Sequence, residues 1–444
     1  MSKNNIPQVP LTNFLRHSLE IVKNPLPFHH KNFEEKGDIF SLKLGFLTTV
    51  HFCRDAALTE YVLQKNQRNY TKSKIQTEDL AKYVGKGLLT AEGDHWRKQR
   101  KLIQPTFHKK QLRDLLHTMQ NAIDAEYERI ETNKKVDIFP ILSDLAFQVV
   151  VKSLFTLAVT DEEIVRLQHI TEAAQKMLVR ELRQPYLGWW FAMSGTIKKH
   201  IDLTREAREI LRGIIHKRKA SKEDHSDLLD MLLSAQYEDG SPIEEEQLID
   251  EILILFVAGH ETTSNALTFT FQLLALHPVW QERIFEEAQA LKKESDDLMT
   301  QVANAKVCQQ VIEEAMRLYP PAYFIDRVNY EDDSFQGNDF KAGTNFLFSI
   351  YEIHRHPKLW EDPNTFIPER FAEGGRKFSS HYFPFGAGPR KCIGNNFAMF
   401  EMVMAVSTLV SQYEIEAQFD TIEITPLITL KPKNGFLKFS KRER

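Results

Sequence analysis

Between Pro242 and Pro278 the chain has no proline, and its apolar residues recur with a helical period. Ser241 reads as an N-cap, Pro242 as the first helical residue and Glu244 as the partner completing a capping box. A helix from there to about His277 has some 35 residues and spans about 50 Å at 1.5 Å per residue. Such an element can cross a whole domain, so the rest of the chain must be built around it. Its middle is locally disfavoured. Gly259 costs roughly 1 kcal/mol relative to alanine, and the β-branched pair Thr262-Thr263 adds to that. A weak centre in a core helix points to a functional constraint at Ala258-Gly259-His260-Glu261-Thr262-Thr263. The competing reading is a threonine hydroxyl bonded back to the carbonyl four residues earlier.

Helical patterns dominate from about Asp94 to Lys292, broken by Pro105, Pro140, Pro185, Pro242 and Pro278. With 18 glycines and 18 prolines in 444 residues, turn formers are scarce, which favours long helices. Short β-rich pieces, Phe40-Ser-Leu-Lys-Leu and Thr48-Thr-Val-His-Phe-Cys53, lie near the N-terminus, and more strands and proline-bounded loops lie near the C-terminus. The expectation is a mainly α fold with a minor β part, one helix-rich domain over 1–444. The charged stretch Lys217 to Ser226 reads as a solvated loop. Met1 to Pro10 has no apolar core of a secretory signal. The most apolar run, Ile252 to Gly259, has eight residues, against about 20 for a membrane span. A soluble, cytoplasmic monomer with no membrane anchor is therefore expected, and a net charge of −4 gives no reason to expect nucleic acid. The three cysteines, Cys53, Cys308 and Cys392, are too scattered for a disulfide framework or a zinc ribbon.

One of them stands apart. Cys392 lies in Phe383-Pro-Phe-Gly-Ala-Gly-Pro-Arg-Lys-Cys-Ile-Gly394, ahead of an apolar helix from about Asn396 to Ser411. A thiolate at a helix start meets the positive end of the dipole and free N–H donors. Gly386 and Gly388 let the backbone fold tightly around the sulfur, and Gly394 lets something large and flat approach. The bland alternative is a buried cysteine in a tight turn. The pattern Phe385-Gly-x-Gly-x-Arg-x-Cys-x-Gly394 resembles the haem-binding signature of the cytochrome P450 family, with every fixed position filled. The resemblance implies the cytochrome P450 fold around a buried haem b, with Cys392 as axial thiolate ligand of the iron. Such a ligand pushes electron density onto the iron and favours O–O cleavage. Phe385 would shield the sulfur, and Gly386 would belong to the same cofactor-binding loop.

Three further motifs resemble the same family. Glu314-Ala-Met-Arg317, at i and i+3, and Arg370 in Phe366-Ile-Pro-Glu-Arg-Phe371 match its structural lock, which retains the fold and the haem. Ala258 and Gly259 match positions that leave room for O2, Thr262 the residue that hydrogen-bonds bound oxygen, and Glu261 a proton relay. In Asp94-His-Trp-Arg-Lys-Gln-Arg100, Asp94 reads as an N-cap, and Trp96 and Arg100 match a haem-propionate pair; Arg327 and Arg390 match two more propionate positions.

A monooxygenase of this kind inserts one atom of O2 into a C–H bond and needs two electrons. No dinucleotide-binding fingerprint is present, so the resemblance implies NAD(P)H electrons delivered through a separate reductase and a ferredoxin or flavodoxin. Arg97, Lys98, Arg100, Lys101, Lys109, Lys110 and Arg113 form a basic stripe without acidic interruption; setting them aside leaves 50 basic against 61 acidic residues. An acidic donor would dock at Lys98, Lys101, Lys109 and Lys110; the alternative is a solvated helix face. Pocket candidates are residues 70–89 and 177–193 with Val257, Ala258, Ala322, Tyr323, Phe324, Leu427 and Ile428. Many are apolar and fit a fatty-acid-like or other hydrophobic substrate. Lys72, Lys74, Arg180, Arg183, Trp189 and Trp190 could instead serve a carboxylate or a sugar face. Oxidative O-demethylation of a methyl ether stays open beside hydroxylation. A peroxide-driven peroxygenase fits less well because Glu261 and Thr262 are present, and a non-catalytic haem-thiolate sensor would need neither them nor a docking stripe.

Overall fold

The computed structural model describes residues 6–44, 48–156, 159–184, 187–221 and 225–443. Residues 1–5, Pro185, residues 222–224 and the side chain of Arg183, which figured in the sequence reading, lie outside the described part. Helix makes up 62% of the chain and the sheets are minor, as the fold class required. The helices longer than two turns are α1 (Leu26–Lys36), α2 (Gly93–Ile103), α3 (Leu116–Tyr127), α4 (Ile138–Phe155), α5 (Asp161–Arg183), α6 (Thr196–Ala220), α7 (Glu245–Leu276), α8 (Pro278–Glu294), α9 (Lys306–Leu318) and α10 (Asn395–Gln412). The chain packs as two compact units. The first comprises the described residues of Met1–Ser73, Lys306–Cys392 and Phe419–Asn434; the second those of Lys74–Ala305, Ile393–Gln418 and Gly435–Arg444. Each is assembled from non-contiguous stretches, so neither is a half that could be cut from the sequence.

The first unit is built on a six-stranded sheet in the order Gln8–Val9, Ile39–Leu44, Thr48–Cys53, Asn345–Ser349, Phe324–Asn329, Tyr70–Thr71. Ile39–Leu44 and Thr48–Cys53 pair antiparallel, and Thr48–Cys53 runs parallel to Asn345–Ser349. Apolar side chains on its strands, among them Phe40, Phe52, Phe346 and Phe348, bury against α1 and neighbouring loops. Cys53 is part of this core, and burial pushes its thiol up.

The second unit is organised by α7, whose 32 residues span about 48 Å. Its start differs from the reading above. Glu244 occupies the N-cap position without a side-chain cap, and the Ser241 hydroxyl donates instead to Asp239 Oδ1 at 2.6 Å in the preceding turn. The capping box is absent because the serine is recruited upstream. The first turns of α7 are held from outside: Asp250 accepts the Lys86 N–H at 2.7 Å and Glu251 the Leu88 N–H at 2.9 Å. Helix α4 packs along α7. Among the described residues α4 alone is long and apolar enough to cross a bilayer, and 67% of it is buried, which fits a core helix. Tyr127 of α3 donates to the Ala405 carbonyl of α10 at 3.0 Å.

The charged stretch after Lys217 is also not the loop expected. Lys217, Arg218 and Lys219 form the last turn of α6, and Arg218 is buried. Its guanidinium donates twice to Asp227, at 2.7 Å each, once to Asp230 at 2.6 Å and once to the Phe155 carbonyl at 3.0 Å. A charge run was an ambiguous sign, because one buried arginine among solvated neighbours leaves no trace in composition. Arg218→Ala should destabilise the protein by about 3–5 kcal/mol by stranding the fully buried Asp227 carboxylate, measured by urea unfolding; a loss below about 1 kcal/mol would contradict that burial.

Candidate active site

The loop before α10 turns twice through left-handed backbone, at Gly386 (φ 69°) and Gly388 (φ 67°). Both conformations disfavour any residue with a Cβ. Gly386 donates its N–H to the Phe383 carbonyl at 3.0 Å, and Cys392 donates its N–H to the Phe385 carbonyl at 2.9 Å, closing the loop on itself. A Cβ at Gly388 would lie 2.0 Å from the Leu63 carbonyl oxygen, in the π-helical turn Tyr61–Lys65. At Gly386 the nearest atom, Ile325 Cδ1, would be 3.8 Å away, so only the backbone angle demands glycine there. Cys392 is exposed at the end of this loop, so the bland reading of a buried cysteine fails. Gly394 caps α10 with an ordinary φ of −85°, and a Cβ there would meet no atom within 4 Å. Neither strain nor packing within the protein accounts for glycine at 394.

The predicted lock is assembled in full. Glu314 and Arg317 on α9 have no side-chain exposure. Arg317 uses all five of its N–H donors: Nε and one Nη on the two Glu314 oxygens at 2.7 and 2.8 Å, the rest on the carbonyls of His354, Pro363 and Thr365 at 2.7, 2.7 and 3.1 Å. Glu314 also accepts the Ile367 N–H at 2.9 Å, and Arg370 Nε stands 3.4 Å from the same oxygen. Arg370 donates to the Asp362 carbonyl at 2.9 Å. A residue not foreseen joins the group. His354 is fully buried, and its Nε2 accepts the Phe383 N–H at 2.8 Å at the head of the cysteine loop. Burial, then the neighbouring Arg317 and Arg355 charges, push its pKa well down and keep the ring neutral. Nothing local in Tyr351-Glu-Ile-His-Arg-His356 marks His354 out, since its partner lies 29 residues away.

Beyond its partly exposed first turns, α7 is largely buried except near the centre. Ala258 is exposed, Val257, Gly259, Glu261 and Thr262 are half-buried, and His260 turns inward to Ser143 Oγ at 2.8 Å. The small residues have separate reasons. A Cβ at Gly259 would come within 2.8 Å of Val150 Cγ2, so that glycine serves the close approach of α4, a packing reason beside the one expected from the sequence. Ala258 is the residue that presents a bare surface. Thr262 Oγ1 donates to the Ala258 carbonyl at 2.6 Å, the back-bonding weighed above. With its proton committed to that carbonyl, the hydroxyl keeps acceptor lone pairs.

Trp96 is buried on α2, and Arg100, one turn on, donates to Gln104 at 3.0 Å. The helix begins at Gly93 with Glu92 at the N-cap position, so Asp94 lies inside the first turn and pairs with Arg97 rather than capping. Arg327 is buried in its strand and donates to the Asp326 carbonyl at 2.6 Å; Arg390 ends the short turn Gly388–Arg390. The expected site residues divide between the units: Cys392, Phe385, Gly386, Arg327, Arg390 and the lock in the first, Trp96, Arg100, Ala258, Gly259, Glu261, Thr262 and Gly394 in the second.

The profile of the family named Cytochrome P450 matches residues 7–439. The chain belongs to the cytochrome P450 family. It is 26% identical to the pentalenene oxygenase of Streptomyces avermitilis over 406 residues, 91% of this chain and 90% of the relative. It is 28% identical to the cyclooctat-9-en-7-ol 5-monooxygenase of Streptomyces melanosporofaciens over 411 residues, 92% and 88%. It is 30% identical to the 11-oxo-beta-amyrin 30-oxidase of Glycyrrhiza uralensis over 391 residues, 83% and 74%. This P450 is a monooxygenase, and its family implies a haem, O2 and an electron donor. The protein surfaces suit a flat cofactor: an exposed cysteine on a rigid loop, an unfilled face at Gly394 and a bare strip on a helix that is otherwise core.

The three loop glycines of the P450 should therefore rank by cause. Gly388→Ala should cost about 2–5 kcal/mol, through left-handed strain plus a backbone collision that no rotamer relieves. Gly386→Ala should cost only the strain, about 1–2 kcal/mol. Gly394→Ala should leave the apoprotein within about 0.5 kcal/mol of wild type but weaken haem retention. Thermal unfolding of the apoproteins and haem-loss rates test this ranking.

Proposed function

We propose that this P450 hydroxylates a terpenoid-like, largely hydrocarbon substrate with electrons from a separate ferredoxin or flavodoxin, itself reduced by NAD(P)H through a reductase. The observation that carries the catalytic reading is the exposed Ala258 and half-buried Glu261 and Thr262 at the centre of a core helix, in a chain whose cysteine loop ends in exposed Cys392. Haem b bound at Cys392 would supply the oxygen chemistry, one atom of O2 entering the substrate C–H bond and the other leaving as water with two electrons and two protons. Arg100, Trp96, Arg327 and Arg390 would hold its propionates, and Phe385 would cover the sulfur. Thr262 Oγ1, its own proton on the Ala258 carbonyl, is set to accept a hydrogen bond, and Glu261 to bring protons from solvent.

The substrate class is supported by the names of the relatives above and by where the alternatives lie. Tyr323 OH donates to the Leu427 carbonyl at 2.6 Å, tying together two of the apolar candidate segments. Of these alternative candidates Lys72 is buried, but the others described face water: Lys74 is 84% exposed, Trp189 63% and Trp190 52%, and Arg180 stacks on Phe191 at the surface. A carboxylate or sugar recognised by the exposed groups would gain little, because solvent screens exposed charges. Titrations following the haem spin-state shift should respond to polycyclic terpenoids and not to fatty acids or methylated sugars; the reverse order of response would overturn the substrate class. Thr262→Ala should keep that shift while diverting electrons to peroxide, and full coupling in this variant would remove Thr262 from the relay.

For the donor, the stripe is smaller than its sequence suggests. Arg97, Lys101 and Arg113 pair with Asp94, Glu238 and Asp297, whereas Lys98, Lys109 and Lys110 stand exposed. Lys98, Lys109 and Lys110 are the best placed of the basic residues to meet an acidic donor. Reversing all three to Glu should slow reduction at least several-fold at low salt and converge with wild type as salt rises. Unchanged reduction kinetics would sink this docking site.

A further inference from the structure

We propose that His354 is a positioning residue for the cysteine loop: its carbonyl is held by Arg317 and its ring accepts the Phe383 N–H, so the rigidity of the buried ion pair is passed to the turn that ends in Cys392. The inference rests on the reading of Cys392 as the iron ligand.

The backbone of His354 is committed on both sides and its Nε2 is engaged, while Nδ1 is buried without a hydrogen-bond partner. His354 donates its own N–H to the Ile350 carbonyl at 2.9 Å and offers its carbonyl to Arg317 at 2.7 Å, which fixes its backbone at both ends. Its ring lies against Tyr382 (centroids 5.1 Å apart) and Trp360 (6.3 Å), so the side chain has no second place to go. From Nε2 a continuous series of hydrogen bonds follows: Phe383 N–H to His354, Gly386 N–H to the Phe383 carbonyl, Cys392 N–H to the Phe385 carbonyl. Phe383 is itself buried, so water cannot replace the imidazole as acceptor. An N–H donor at Nε2 requires that this nitrogen carry no proton, which puts the ring proton on Nδ1. A different kind of restraint on the loop, Gly388 against the Leu63 carbonyl, is steric and acts at the far side of the turn. His354 thus supplies a side-chain hydrogen bond to the loop's backbone at its entry, beside Tyr382, whose hydroxyl donates to the Glu313 carbonyl at 2.8 Å.

The test compares His354→Leu, which has no acceptor, with His354→Gln, whose amide oxygen can take the Phe383 N–H. Cys392→Ser serves as the reference without a thiolate. Two quantities are read in the holoenzyme: hydrogen exchange at the Phe383 amide and the share of the strongly red-shifted reduced–CO band. His354→Leu should exchange at Phe383 at least about tenfold faster and lose much of the red-shifted band, and His354→Gln should restore both. The proposal is overturned if His354→Leu matches wild type in both readouts, or if a folded His354→Gln is as damaged as His354→Leu. Should His354→Leu fail to fold, His354→Gln decides alone: slow exchange with the red-shifted band supports the proposal, and fast exchange without it refutes it. A wild-type protein lacking the red-shifted band would fail the ligand reading instead, and amide exchange, which needs no thiolate, would still judge His354.

Discussion

The first unit depends on one buried ion pair. Removing a carboxylate and a guanidinium from water is expensive, and their mutual attraction offsets the cost only when every remaining donor and acceptor is satisfied. Arg317 meets that condition by reaching three backbone carbonyls besides Glu314, and these lie on two stretches of chain, at 354 and at 363–365. Glu314 adds the Ile367 N–H and the proximity of Arg370. The pair therefore acts as a template that makes otherwise irregular backbone adopt one path. A hydrophobic pair of the same volume could fill the space but would orient none of those carbonyls.

In the second unit the burden falls on α7, which is both core and surface along one length. Two of its buried threonines, Thr268 and Thr270, return their hydroxyls to carbonyls four residues back, at 2.7 and 2.8 Å, and so cost the core little. Thr262 does the same but is only half-buried and keeps access to whatever lies over Ala258. Gly259 and Ala258, adjacent in sequence, serve opposite sides of the helix, one admitting Val150 and the other leaving a face uncovered.

What was legible in the sequence followed from range. The long helix, the glycine turns at 386 and 388 and the Glu314–Arg317 spacing are local patterns, and each appears where its periodicity or turn chemistry required. The failures are contests between nearby partners or reach across the chain. Ser241 and Asp94 both had the right chemistry for caps, and each was claimed by another near neighbour, Asp239 and Arg97. Arg218 looked like one more surface cation until Asp227 and Asp230 folded onto it. His354 was invisible because an acceptor is defined by its donor, and Phe383 is joined to it only in three dimensions.

The contact between Gly388 and the Leu63 carbonyl is made by backbone on both sides. That backbone contact asks only that the π-helical turn Tyr61–Lys65 keep its shape, whereas the buried Leu63 side chain adds an apolar contact of its own to Phe383 and Ala387. That segment can diverge at its outward positions, with Val62 and Leu63 kept apolar, whereas a single inserted or deleted residue there would move the carbonyl and the loop with it.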